Sequence, residues 1–99
     1  MKLSELLKNV NPQAIVGDAG IDVTGVKIDS RQVSSGSLFV AVRGTQVDGH
    51  QFISKAVEQG AKVVMCESLP DSLADGVTYV QVTSTEDAVG TVATQFYGD

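Results

Sequence analysis

The sequence predicts an α/β fold: a small two-layer or three-layer domain in which a mostly parallel sheet of about four to five strands is flanked by helices. Three observations lead there. Leu38, Phe39, Val40, Ala41 and Val42 form a continuous apolar run bounded by glycines, the pattern of a strand buried on both faces. Phe52, Ile53, Ala56 and Val57 mark the buried stripe of a helix that Gly60 closes, and Lys62 to Cys66 reads as the strand after it. A helix between two such strands predicts a right-handed βαβ crossover and a parallel pair. Finally, Tyr79 to Val82 reads as a further strand feeding a helix whose apolar face is Val89, Val92, Ala93 and Phe96.

Taken in order, Leu3, Leu6, Leu7 and Val10 fall at i, i+3, i+4 and i+7, which predicts a short amphipathic helix ended by Asn11-Pro12. Ile15 and Val16, followed by Gly17 and Gly20, predict a short strand and turn. Val26 and Ile28 alternate with Lys27 and Asp29 as a second strand with one wet face, stopped by the Asp29-Ser30-Arg31 step. Ser34, Ser35, Gly36 and Ser37 supply a turn before the central strand. Asp48 is placed to N-cap the helix after Gly49, and Ser84 with Asp87 has the spacing of a capping box before the last helix. Pro70 to Gly76 is connecting loop.

The totals bound the function. A chain of 99 residues is one domain, small for an enzyme that must hold two or three substrates, and is expected to be part of something longer. A net charge of -5 argues against nucleic-acid binding, which needs a basic stripe to displace counterions. No stretch approaches the roughly 20 apolar residues of a membrane span. The opening MKLSELLKNV is too short and polar for a secretory signal, which predicts a cytoplasmic protein. The single cysteine, Cys66, sits in an apolar run and reads as a small core residue. Asp71, Asp75, Glu86 and Asp87 read as a solvated face, because no spacing among them suits metal ligation.

Chemistry concentrates in Val26 to Phe52, where polar groups stand at both ends of the central strand. If the ligand carries a nucleobase and a diphosphate, an acidic domain must attract it through local donors: hydroxyls, an arginine, and backbone N–H groups at a helix start. Ser30 and Thr45 offer hydroxyls, and Gln46 offers an amide that matches a uracil edge as donor and acceptor. Against this, the Asp-Ser-Arg triplet taken alone reads more simply as a turn capped by Ser30, and Arg31 more simply as a local anchor paired with Asp29 or Asp48 than as a phosphate contact. His50, the one histidine, has no nucleophile at a recognisable spacing and reads as a polar contact at the helix start.

The run VTGVKIDSRQVSSGSLFVAVRGTQVDGHQFI, with LSELLK and VGDAGIDVTGV before it, closely resembles the N-terminal, nucleotide-sugar-binding domain of the Mur ligases. The resemblance spans Leu3 to Asp99, and its order and spacing of motifs (Asp29-Ser30-Arg31, Gly36 to Val42, Gly44 to Phe52) is specific. It implies that the domain holds the UDP part of UDP-N-acetylmuramoyl-L-alanyl-D-glutamate, at the positions matching Ile28, Ser30, Thr45, Gln46 and Val47. The opening segment is most similar to the branch that adds the third residue of the peptidoglycan stem peptide, diaminopimelate or lysine. A sister ligase adding the later dipeptide and a stand-alone interaction module are the alternatives. Thr45 stands where the family often has histidine, and Ser37 where it often has aspartate. The resemblance further implies ATP and Mg2+ for the full-length enzyme, bound by a central domain that, with a C-terminal domain, would be this domain's partner in the same chain. The P-loop signature G-x-x-x-x-G-K-[ST] is absent here, so this segment is expected to bind substrate, with no catalytic, cofactor or metal residue of its own.

Overall fold

A computed structural model describes residues 1–43 and 48–98. The chain runs α1 (Leu3–Leu6), β1 (Ala14–Val16), β2 (Val26–Lys27), β3 (Leu38–Val40), α2 (Ile53–Glu58), β4 (Val63–Cys66), β5 (Thr78–Gln81) and α3 (Thr85–Tyr97), with 3-10 turns at Leu7–Asn9, Ser30–Gln32 and Gly49–Phe52. The strands form one five-stranded sheet in the order β1-β5-β4-β3-β2. Only β1 is antiparallel to its neighbour; β2, β3, β4 and β5 run parallel.

Alternation along the inner strands sorts two cores. Leu38 and Val40 of β3, Val63 and Met65 of β4 and Val80 of β5 face Leu3, Leu6, Ala88 and Val92 of α1 and α3. Phe39, Val64, Cys66 and Tyr79 face the other way, toward Ile53 and Ala56 of α2. The sheet is therefore the middle of three layers, and the apolar run at β3 is continuous because both faces are covered. Burial pushes the Cys66 thiol up to about 11, in keeping with a packed, unreactive side chain.

The βαβ unit forms as expected, and its helix ends in a Schellman motif: Ala61 N–H donates to the Ala56 carbonyl and Gly60 N–H to that of Val57, with Gly60 at φ +114°. Ser84 Oγ accepts from Asp87 N–H at the start of α3. At the far end of that helix the Tyr97 hydroxyl accepts from Val26 N–H and donates to the Val26 carbonyl, which closes the outer edge of β2.

Ile15 and Val16 form the short strand expected of them, β1, and lie half in water at the edge of the sheet. Two expectations change. The first helix is α-helical only over Leu3–Leu6 and continues as a 3-10 turn over Leu7–Asn9, where Val10 N–H donates to the Leu7 carbonyl; at its start no side chain caps it, and Leu3 and Ser4 donate instead to the carbonyls of Ile21 and Ala19. Ile28 was expected to follow Val26 inward, but β2 ends at Lys27 and Ile28 is 60% exposed. Among the described residues no helix is long and apolar enough to cross a membrane.

Candidate functional site

Parallel neighbours end on the same side of a sheet, and ligands of open α/β sheets bind outside those carboxyl ends. Here a cleft of about 560 Å³ opens beyond β2 and β3. One wall is Ile28, Asp29, Ser30 and Arg31; the other is Val42, Gly49, Phe52 and Lys55. The first wall is built by Asp29, whose carboxylate accepts from Arg31 N–H at 2.9 Å and so caps the Ser30–Gln32 turn. Arg31 returns the favour with a two-point grip on that carboxylate, Nε at 3.0 Å and Nη2 at 2.7 Å. The hydrogen bonds from the Arg31 side chain and amide hold the Asp29 carboxyl down at about 2. Of the two partners foreseen for Arg31, Asp29 is the one used. Ser30 is buried, and its carbonyl accepts from the Gln59 amide of the α2 C-terminus, which ties this wall to the helix across the cleft.

The second wall depends on a close approach. Gly49 N–H donates to the Val42 carbonyl at 2.8 Å, and a Cβ on Gly49 would lie 2.8 Å from both the nitrogen and the oxygen of Val42. Arg43 and Asp48 pair as an antiparallel bridge just beyond. Thus Val42 and Gly49, on the two chain segments that lead to residues 44–47, share the cleft with Ile28 and Ser30.

Of the five residues expected to contact ligand, the structure brings Ile28 and Ser30 into one cleft; Thr45, Gln46 and Val47 lie outside the described residues. Ile28 takes its place there because it leaves the strand, so its exposure is what makes it available. Phe52 and Lys55 were missed. Phe52 was read as part of the buried stripe of α2, yet it is 37% exposed and lines the cleft. Lys55 has no sequence signal beyond lying three residues after Phe52, one helical turn along the same face.

Behind the second wall a polar cluster joins three segments. Asp48 Oδ1 accepts from His50 N–H at 2.9 Å and from His50 Nδ1 at 2.7 Å. These bonds, the backbone one foremost, lower the Asp48 pKa. His50 Nε2 accepts from Glu67 N–H at 2.9 Å. The Glu67 carboxylate meets Arg43 Nε at 3.3 Å and accepts from Thr85 N–H at 3.0 Å, so it also caps α3. His50 is the helix-start contact expected of it, with a second, distant partner that the sequence did not reveal. Among the described residues no three His, Cys, Asp or Glu side chains are grouped to hold a metal.

The profile described as "Mur ligase family, catalytic domain" matches residues 22–97. The UDP-N-acetylmuramoyl-L-alanyl-D-glutamate–2,6-diaminopimelate ligase of Bacteroides fragilis is 58% identical over 99 residues, covering 100% of this chain and 20% of that protein. Among solved structures, a crystal structure of MurF from Acinetobacter baumannii superposes with a TM-score of 0.75 at 23% identity, covering 91% of this chain and 19% of that one. MurF ligase from Thermotoga maritima in complex with ADP gives 0.62 at 29% identity, over 79% of this chain and 17% of that one. The chain spans about a fifth of the length of the curated relatives it matches.

Proposed function

The chain belongs to the Mur ligase family, and from that premise we propose that it holds the UDP end of UDP-N-acetylmuramoyl-L-alanyl-D-glutamate within an ATP-dependent ligase that adds diaminopimelate in peptidoglycan synthesis. The observation that carries this is the single cleft in which Ile28 and Ser30 face Phe52 and Lys55. Its chemistry suits a uridine diphosphate. Ile28 and Phe52 present apolar faces to a base, Ser30 offers a hydroxyl, and Lys55 brings a cation to a chain whose net charge of -5 otherwise repels anions. Thr45, Gln46 and Val47 complete the set, Gln46 pairing with the uracil edge and Thr45 contributing through its main chain.

Diaminopimelate is favoured over lysine by the name of the 58% relative. The dipeptide-adding sister ligases share the fold, but the one superposed at a TM-score of 0.75 is only 23% identical. ATP would phosphorylate the substrate's glutamyl carboxylate, releasing ADP, and the incoming amine would displace phosphate from that acyl phosphate to form the amide. The ADP complex of the Thermotoga relative supports a nucleotide in this chemistry. Among the described residues no group of three His, Cys, Asp or Glu is assembled that would fit Mg2+; in the full-length ligase a central domain would supply its ligands along with the P-loop. The working place of such a ligase is the cytoplasm, where its soluble substrates are made.

Calorimetric titration of the full-length ligase with UDP-N-acetylmuramoyl-L-alanyl-D-glutamate tests the assignment. Ser30→Ala combined with Gln46→Ala removes two hydrogen bonds of about 1 kcal/mol each and is expected to weaken binding roughly thirtyfold. Unchanged affinity would remove both residues from the site.

A further inference from the structure

We propose that His50 is a positioning residue for the substrate cleft: its imidazole keys the Gly49–Phe52 turn, which carries one wall, onto the end of β4. The inference rests on the binding function proposed above and assigns a role to a residue that does not itself line the cleft. An amide N–H can only donate, so the bond from Glu67 N–H makes Nε2 an acceptor and leaves the ring proton on Nδ1, facing Asp48. Both nitrogens are thereby committed and the ring is fixed in one orientation. Its side chain is 14% exposed, and it borders a separate, smaller hollow with Arg43, Asp48, Ser68 and Leu69. It stands in sequence between Gly49 and Phe52, the two residues that the turn gives to the cleft. Glu67, the anchor, is itself held through its carboxylate by Thr85 at the start of α3 and by Arg43. The wall that meets the ligand, already bonded through its backbone to Val42, is therefore also referenced to the end of β4, the middle strand of the sheet, by one side chain.

The test is steady-state kinetics of the full-length ligase with UDP-N-acetylmuramoyl-L-alanyl-D-glutamate, diaminopimelate and ATP. His50→Ala is expected to raise KM for the UDP substrate about tenfold while kcat and KM for ATP stay near wild type. Partial misfolding would instead lower kcat in proportion to the folded fraction and leave KM alone. Two further variants separate the contacts: His50→Gln places a carbonyl within reach of Glu67 N–H and is expected to restore most of the KM, whereas His50→Asn reaches only Asp48 and is not. Where His50→Ala fails to accumulate, the Gln and Asn pair carries the test. A wild-type KM in His50→Ala, or equal KM in the Gln and Asn variants, overturns the assignment while leaving the binding function intact. A wild-type enzyme that does not use the UDP substrate overturns the binding function, and this inference with it.

Discussion

Lys55→Glu is expected to weaken binding of UDP-N-acetylmuramoyl-L-alanyl-D-glutamate to the full-length ligase by about two kcal/mol, or roughly thirtyfold, without destabilising the fold. Lys55 is exposed on the cleft side of α2 and has no ion-pair partner among the described residues, so replacing it breaks no ion pair there. The other cation at the cleft, Arg31, is already engaged by Asp29. A diphosphate entering an acidic chain therefore has Lys55 as its nearest available counter-charge, and reversal substitutes repulsion for attraction. Because the group is solvated, the effect must shrink as salt rises from about 0.05 to 0.5 M, where the screening length falls to a few ångströms. Calorimetry at the two salt concentrations measures both. Equal affinities of wild type and variant at low salt would place the diphosphate away from Lys55.

Gly49→Ala is expected to be the most damaging single-methyl change near the site. The added Cβ would meet the Val42 nitrogen and oxygen at 2.8 Å, and both are backbone atoms, two residues past the end of β3, that cannot swing aside as the tip of a side chain could. Relief requires separating Gly49 from Val42, which breaks their 2.8 Å hydrogen bond and moves the wall that carries Phe52. Overpacking of this kind costs about 1–3 kcal/mol. At about 4–8 °C per kcal/mol for a domain of this size, the midpoint of thermal unfolding of the purified 99-residue chain should fall by about ten degrees. Gly90→Ala is the control: an added methyl there meets nothing within 4 Å on the helix α3, and alanine favours a helix over glycine. A Gly49→Ala midpoint within a degree of wild type would mean that the strand end and the turn are not held together as described.

What could be read from the sequence was what local periodicity and local hydrogen bonds determine. The β3 run announces a two-sided core because every residue in it is apolar, and the Asp48 and Ser84 caps act within three residues of themselves. The site was legible where it coincided with a turn: the Asp29-Ser30-Arg31 step marks the end of β2 and becomes one wall. The other wall was not. An apolar Phe52 at helical spacing reads the same whether it faces a core or a cleft, and the direction α2 presents to the sheet decides which. The alternation through Ile28 could not show that the strand stops a residue earlier. Glu67 has no local sign of its task, since it caps a helix that begins 18 residues later and takes a histidine 17 residues earlier. Such pairings are created by the parallel order of β3, β4 and β5 rather than by any neighbour in sequence.

The most direct measurement is a crystal structure of the full-length ligase bound to UDP-N-acetylmuramoyl-L-alanyl-D-glutamate. The uridine is expected between Ile28 and Phe52, with Ser30 within hydrogen-bonding distance and the diphosphate facing Lys55. A nucleotide bound on another surface of the domain, with Ser30 and Lys55 meeting only solvent, would contradict the proposed role of this cleft.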